Sequence, residues 1–176
     1  SKTEASGTVV YPTQVTIVSP RDAYTEKLYA EEGQQVTSSD ILAELNAPAL
    51  EDQRDDYEAQ LKEQELTLEE LKIDYTYQIT ELERNIKRFE SDVEEAEEDV
   101  AEKKELAELK SSRKSDYENA EDQLENLENQ LEDARLNLEK TLQKKEIALS
   151  KQKARINQLE LSLQRVNEDI EETRIT

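Results

Sequence analysis

Apolar residues recur in alternating steps of three and four from about residue 50 almost to the C-terminus. This spacing keeps one narrow stripe of a helix facing a partner helix, which is typical of a coiled coil. The first stripe consists of Tyr57, Leu61, Gln64, Leu68, Leu71, Tyr75, Ile79, Leu82, Ile86, Phe89, Val93, Ala96 and Val100. The second consists of Tyr117, Ala120, Leu124, Leu127, Leu131, Ala134, Leu138, Leu142, Lys145, Leu149, Gln152, Ile156, Leu159, Leu163, Val166 and Ile170.

The stripe lapses once, near the middle of the chain. Its continuation past Val100 would contain three lysines in four positions, which is a poor core: Lys103, Ala107, Lys110 and Lys114. Residues 115–118 (Ser-Asp-Tyr-Glu) form a capping box that would start a second helix. We therefore predict an antiparallel hairpin with its tip at about residues 110–116. Each arm would have about 60 residues and a length of roughly 90 Å.

Two further patterns favour the hairpin. Each arm contains one extra step of four, from Tyr75 to Ile79 and from Leu138 to Leu142, and folding at residue 112 brings both to a similar level. The same folding sets an acidic stretch against a basic one, which would help to fix the register. The acids are Glu63, Glu65, Glu69, Glu70 and Asp74, and the bases are Lys144, Lys145, Lys151, Lys153 and Arg155.

One alternative is a continuous helix of roughly 190 Å in a parallel dimer, because neither Gly nor Pro forces a turn at 111–115. That arrangement would suit a structural rod, cytoskeletal or surface-anchored, with no role in transport. The first fifty residues would then be a flexible arm.

Composition supports a coiled coil and excludes several functions. The chain is 34% apolar and 38% charged, and its net charge of -21 argues against binding to nucleic acid or to anionic lipid. It lacks histidine and cysteine, which removes the usual general base and thiolate metal ligands. We therefore predict no enzymatic activity, cofactor or metal site. No apolar run approaches the length of a membrane span, and the start at Ser1 suggests a piece excised from a longer protein.

The composition changes before Pro48. Both glycines and two of the three prolines lie in this part, and the third proline is Pro48 itself. The same part contains β-rich runs at 8–11, 15–18 and 41–45. Residues 31–34 indicate a turn in which Gly33 supplies a positive φ. We predict a partial β domain over 1–47, and the helical hairpin over 48–175, since Pro48 suits the first turn of a helix.

Residues 15–20 (VTIVSP), 26–36 (EKLYAEEGQQV) and 40–45 (DILAEL) resemble the first half of a biotinyl/lipoyl-type domain. In the membrane fusion proteins, the adaptors of bacterial ABC and other export pumps, a long helical hairpin splits that domain. This chain is similar in the order of its parts, and residues 173–176 resemble the lead-in to the second half-motif. The implied fold is mostly α: a two-helix coiled-coil hairpin rooted in a partial lipoyl-like, barrel-sandwich hybrid domain.

The sequence departs from the family in some places. Ala23 and Ser39 stand where the family usually has glycine, and no lysine flanked by methionine follows Leu45, so lipoylation or biotinylation is not expected. The second half-motif, the membrane-proximal barrel and the N-terminal anchor of the family are missing, which suggests a fragment.

The resemblance implies an adaptor subunit of an ABC-type efflux or secretion system, MacAB-like, whose hairpin acts as spacer and docking rod. Family members form rings or tubes with themselves, often hexameric, and bind an inner-membrane ABC transporter. An outer-membrane or cell-wall component would meet the hairpin tip. The implied location is extracytoplasmic, with a membrane anchor in the full-length protein.

Gram-negative adaptors carry the tip pattern Arg-x3-Leu-x6-Ser, which engages an outer-membrane channel. This chain has no arginine four residues before Leu106 or Leu109 and no serine seven residues after either one. The tip therefore departs from that pattern, and both a periplasm and a Gram-positive cell surface stay open. The residues predicted to make contacts at the tip are Leu106, Leu109, Ser112, Arg113, Ser115 and Tyr117. The simpler alternative is that the leucines and Tyr117 only seal the turn.

Overall fold

The structure is a computed structural model that describes residues 2–8, 13–19 and 22–176. The elements are, in order, β1 (Tyr24–Leu28), β2 (Ala43–Asn46), α1 (Pro48–Glu108), α2 (Lys114–Glu171) and β3 (Arg174–Ile175). The chain divides into a root unit, Ser1–Ala59 with Leu159–Thr176, and a central unit, Gln60–Gln158. No helix in the described ranges combines the length and apolar character needed to cross a membrane.

In the central unit the two helices pack antiparallel as a hairpin. The chain leaves α1 at Glu108 and enters α2 at Lys114, so helical geometry is interrupted between them. Contacts between the helices then join residues far apart in sequence, including Gln64 with Gln152 and Glu90 with Arg135. The predicted hairpin is therefore confirmed, and the continuous helix of a parallel rod is excluded.

The predicted stripes form the least exposed face of each helix. The fully buried apolar members in the central unit are Ala96, Ala120, Leu131 and Ile156. Most other stripe residues are half-buried, because a layer of two helices covers only one side of each. The apolar stripe of a coiled coil is thus confirmed for both arms.

One stripe position in α2 was predicted wrongly. Leu142 is 46% exposed, and the half-buried residue beside it is Thr141. The hydroxyl of Thr141 donates to the carbonyl of Asn137 (2.8 Å), so this polar side chain is satisfied within its own helix. The step from Leu138 to the next covered residue, Thr141, is therefore three, where a step of four was predicted.

A buried amide pair crosses the hairpin. Gln152 is only 3% exposed, and its Nε2 donates both to the backbone carbonyl of Gln64 (2.8 Å) and to the side-chain Oε1 of Gln64 (2.9 Å). A buried amide without a partner costs about 1–3 kcal/mol. Registers that separate the two glutamines are therefore disfavoured, as with single polar residues in coiled-coil seams.

Charge pairing contributes less to register than the sequence predicts. In the described residues the acidic stretch near Glu69 makes no ion pair with the basic stretch of α2, and Glu69 instead pairs with Lys72 of its own helix (2.6 Å). An ion pair between the helices joins Glu90 to Arg135 (2.9 Å). Both side chains are largely exposed, so the pair contributes only about 0.2–1 kcal/mol.

In the root unit three short strands form an antiparallel sheet in the order β1-β2-β3. Strand β2 pairs with β1 through Leu28↔Ala43 and with β3 through Ala43↔Ile175. The N–H of Leu45 also donates to the carbonyl of Thr173 (2.9 Å). Because β2 leads into α1 and β3 follows α2, the hairpin is inserted between two neighbouring strands of one sheet.

The predictions for the first 47 residues have mixed outcomes. The run at 41–45 corresponds to β2, and the turn at Gly33 is confirmed by a φ of 85 and the N–H of Gln34 donating to Glu31 O (3.1 Å). The run at 15–18 forms no strand, and Val15 is 82% exposed. Apolar alternation alone does not make a strand, because its backbone groups need a paired neighbour.

Two points of this region stay open. Of the predicted run at 8–11, residues 9–11 lie outside the described residues. The sheet of three strands is only a fraction of a barrel-sandwich hybrid, so the lipoyl-like assignment stays a prediction.

The amide pair predicts a specific stability effect. We expect Gln152→Ala to lower the free energy of unfolding by about 1–3 kcal/mol, because Gln64 loses its partner and a small cavity opens. Urea unfolding followed by circular dichroism measures the change. The exposed Gln143→Ala serves as control and should stay within about 0.5 kcal/mol of the wild type. Equal effects of the two substitutions would contradict a register role for Gln152.

Candidate interaction site at the hairpin turn

The C-terminus of α1 is closed by two backbone hydrogen bonds. The N–H of Ser111 donates to the carbonyl of Leu106 (2.9 Å), and the N–H of Lys110 donates to the carbonyl of Ala107 (3.1 Å). These are the two bonds of a Schellman motif, which satisfies the last carbonyls of a helix. The turn therefore ends α1 through its own backbone, without the proline or glycine that usually marks such an end.

Lys110 carries the conformational cost of this turn. Its φ is 54, in the left-handed region where a side chain costs roughly 1–2 kcal/mol relative to the right-handed one. Schellman motifs usually place glycine at this position. No sequence signal predicted the left-handed conformation of Lys110, because lysine is a good helix former and is not a turn residue.

The two predicted leucines project from the end of α1. Leu109 is 67% exposed, and Leu106, one turn earlier, is also exposed. Leu109 is therefore not covered by the turn, whereas Tyr117 of α2 is half-buried. The structure thus places an apolar side chain in solvent at the point farthest along the sequence from both helix roots.

The polar residues of the turn differ in their surroundings. The side-chain oxygen of Ser112 is covered and has no hydrogen-bond partner among the described residues. Arg113 is exposed, and its carbonyl accepts a bond from the N–H of Asp116 (3.1 Å). Helix α2 begins at Lys114, so Ser115 lies already inside its first turn. The predicted capping box has Ser115 as N-cap and Asp116 as first helical residue, so the predicted start is two residues too late.

Tyr117 is half-buried on the stripe of α2, two residues beyond Ser115. A hydrogen bond from its hydroxyl to the Glu121 carboxylate raises the pKa of Tyr117 above its ordinary 10.0, with smaller contributions from desolvation and from the charges of Glu121 and Glu108. All six predicted tip residues therefore lie in one segment, from the last turn of α1 to the first turn of α2. Their role in contacts stays a prediction.

The helices next to the turn form an acidic groove. Small buried residues, Ala96 and Ala120, stand on the facing sides of the two helices there. The groove has a volume of about 540 Å³ and is lined by Asp92, Glu95, Ala96, Glu98, Asp99, Glu102, Ala120, Gln123 and Leu127. Within the described ranges, no set of three acidic, His or Cys side chains is grouped so that it could hold a metal ion. The groove is a charged surface flanking the turn.

Comparison with known proteins does not assign this chain to a family. No protein-family model matches the chain, and no curated protein does. A solved structure described as the periplasmic adaptor protein EmrA matches with 14% sequence identity and a TM-score of 0.37. The match covers 86% of this chain and 59% of that one, so the chain spans less than two thirds of the EmrA structure. A likeness at this level leaves the function to be argued from the residues themselves.

The strained turn predicts a gain in stability. We expect Lys110→Gly to raise the free energy of unfolding by about 0.5–1 kcal/mol, because glycine adopts positive φ without a steric cost. Lys104→Gly, at an exposed helical position of α1, should instead lower it by about 0.5–1 kcal/mol. Thermal unfolding of both variants gives the comparison. A loss of stability in both would contradict the left-handed conformation of Lys110.

The Tyr117–Glu121 contact predicts a shift in alkaline titration. NMR of ring-labelled tyrosine should show the Tyr117 phenol titrating above 10.0, with Tyr117→Phe to assign the signal. Glu121→Gln should bring the pKa of Tyr117 back toward 10.0, because the charged acceptor is lost. Since the folded pKa is raised, the contact stabilises the fold below pH 10.0, and this contribution is lost as the pH rises through the folded pKa. An unchanged pKa in Glu121→Gln would refute the contact.

Proposed function

We propose that this chain is part of an extracytoplasmic adaptor subunit of a bacterial ABC-type export system, and that its hairpin is a spacer with a docking tip. The observation that carries the proposal is the insertion of the hairpin between β2 and β3, two neighbouring strands of one sheet. The sequence resemblance to membrane fusion proteins predicts this connectivity. A free-standing coiled-coil rod has no need of a sheet that joins its two ends.

The sheet ladder gives the proposal a mechanical basis. Residues before α1 and after α2 are bonded to each other, through Leu42 N–H to Ile175 O (2.6 Å) and Leu45 N–H to Thr173 O (2.9 Å). The roots of both helices are therefore held together at the sheet. In the proposed adaptor, a second half-motif would complete this sheet and fix the direction of the hairpin.

The remaining parts of the proposal follow from the adaptor role. The full-length protein would be anchored in the membrane beside an inner-membrane ABC transporter, which supplies the energy of transport. Several copies would form a ring, hexameric in many family members, around the exported substrate. Leu106 and Leu109, exposed at the turn, would contact an outer-membrane or cell-wall component. The adaptor itself would act by contact, without catalysis or a cofactor.

The test combines gene deletion with a tip variant. In a strain of the source organism that lacks the full-length gene, we expect cells to accumulate one or more compounds from a panel of dyes, peptides and antibiotics. Wild-type protein should restore export. Leu109→Asp should lower the restored export rate by about tenfold, because a charge replaces an apolar contact at the docking surface.

The matched control is Asn119→Asp, which adds the same charge at an exposed position of α2 near the turn. It should restore export like the wild type. Unchanged accumulation in the deletion strain across the panel would contradict the adaptor function. Full restoration by Leu109→Asp, with normal protein levels, would contradict a docking role for the tip while leaving the adaptor function in place.

A further inference from the structure

Charge is divided sharply along the hairpin near its turn. Residues 90–102 of α1 contain eight acidic side chains and no basic one, and residues 116–133 of α2 contain the same numbers. We call these two stretches the acidic shaft, and at 1.5 Å per residue they reach to about 27 Å from the turn. Residues 109–115, which we call the basic end, contain three basic side chains and no acidic one. The hairpin therefore carries a positive end on a negative shaft.

The three cations of the basic end are Lys110, Arg113 and Lys114, and all three are exposed. Lys114 lies 3.9 Å from the carboxylate of Glu118, and its side chain is 86% exposed. Within the part of the chain that the structure describes, Lys110 and Arg113 have no ion-pair partner. These charges are therefore open to solvent, and a partner that carries negative charge would be attracted to them.

The basic end also exposes apolar surface. Leu109 directly precedes Lys110 and is 67% exposed, and Leu106, about one turn earlier, is 37% exposed. Leucine beside basic side chains suits the interface of a bilayer, where apolar groups enter the boundary of the acyl chains and cations stay among the headgroups. A soluble polyanion would bind the cations and leave the leucines in water. The composition of this end therefore favours a lipid surface over a charged polymer.

We propose that the basic end binds the surface of an anionic lipid bilayer, with Leu109 inserted and the three cations against lipid phosphates. This inference rests on the proposed function and deepens it by naming the chemistry of the component that the tip contacts. It also fixes the direction of contact. A hairpin lying flat would bring the acidic shaft against the anionic surface, which repels it. In end-on contact most of the shaft lies beyond the ~8–10 Å over which salt leaves charges unscreened.

Vesicle binding by the whole 176-residue chain tests the proposal. The chain should sediment with vesicles of phosphatidylcholine and phosphatidylglycerol, and should not sediment with phosphatidylcholine alone. Replacing Lys110, Arg113 and Lys114 by glutamine should lower the partition coefficient at least about tenfold, since each basic side chain near an anionic surface contributes about fivefold.

The matched control removes the same charge from exposed positions of α2 far from the turn, in the triple variant Lys140→Gln, Lys144→Gln and Lys151→Gln. It should bind like the wild type, and circular dichroism should show that both triple variants keep their helices. Leu109→Ser should weaken binding several-fold, because the inserted side chain is lost.

A fluorescent label reports the orientation. Because the chain lacks cysteine, Ser111→Cys and Asn137→Cys can each carry one dye whose emission depends on polarity. Both positions are exposed, and Asn137 lies about 35 Å along α2 from the turn. Anionic vesicles should shift the emission of the label at 111 to the blue and leave that of the label at 137 unchanged.

Several results would overturn the proposal. These are no binding to anionic vesicles, an equal loss of binding in the two triple variants, or a blue shift of both labels, which would mean that the shaft lies flat. Binding that soluble polyphosphate abolishes and that Leu109→Ser leaves unchanged would also overturn it, because any polyanion would then serve as partner. Failure of vesicle binding leaves the adaptor function in place, whereas unchanged accumulation in the deletion strain removes that function and leaves vesicle binding intact.

Discussion

Two packed helices can each cover only one face of the other. The small buried surface that results constrains the other features of this chain. Most stripe residues are half-buried, and few side chains of the central unit are fully enclosed. Such a thin seam tolerates sliding, because neighbouring registers one heptad apart bury similar apolar surface. The hydrogen bonds of Gln152 to Gln64 remove that tolerance, since a shifted seam would bury an amide without a partner. The register of the hairpin and the level of its turn depend on this pair.

The same constraint explains where function can be built. A hairpin with no enclosed interior offers only its ends and its outer surfaces to other molecules. At one end the Schellman turn at Lys110 leaves Leu109 exposed, and at the root the sheet bonds the residues before α1 to those after α2. The proposed roles of spacing and docking use these ends and surfaces.

The sequence was informative about periodicity and less so about local geometry. Heptad spacing predicted both helices and their stripes, and the run of lysines after Val100 correctly indicated a break. The sequence did not predict the left-handed conformation of Lys110. Glycine is usual at this position, and here the turn is closed by backbone hydrogen bonds without one. Heptad spacing predicted that Leu142 lies in the seam. Spacing alone gives no information about Thr141, whose hydroxyl is hydrogen-bonded within its own helix. The strand predicted at 15–18 failed because apolar alternation does not supply a pairing partner.

The Gln64–Gln152 pair was within the predicted stripes, yet its importance appears only once register is known. Spacing places both glutamines on the seam, but it does not say that they meet. The same holds for the charged stretches, whose proximity in the hairpin does not lead to pairing across it. Of the tip, the sequence indicated the segment and the exposed leucines as contact residues, and the structure supplied their exposure.

The most direct test of the account is a distance between the two arms in a single chain. Spin labels at Glu69→Cys and Lys151→Cys, with unlabelled chain added to suppress signals between molecules, can be measured by pulsed electron paramagnetic resonance. The hairpin in the described register predicts one narrow distribution at about 10–30 Å, and a slip of one heptad would offset the two labels by about 10 Å along the helix axes. A separation near the ~120 Å of a continuous helix would contradict the account.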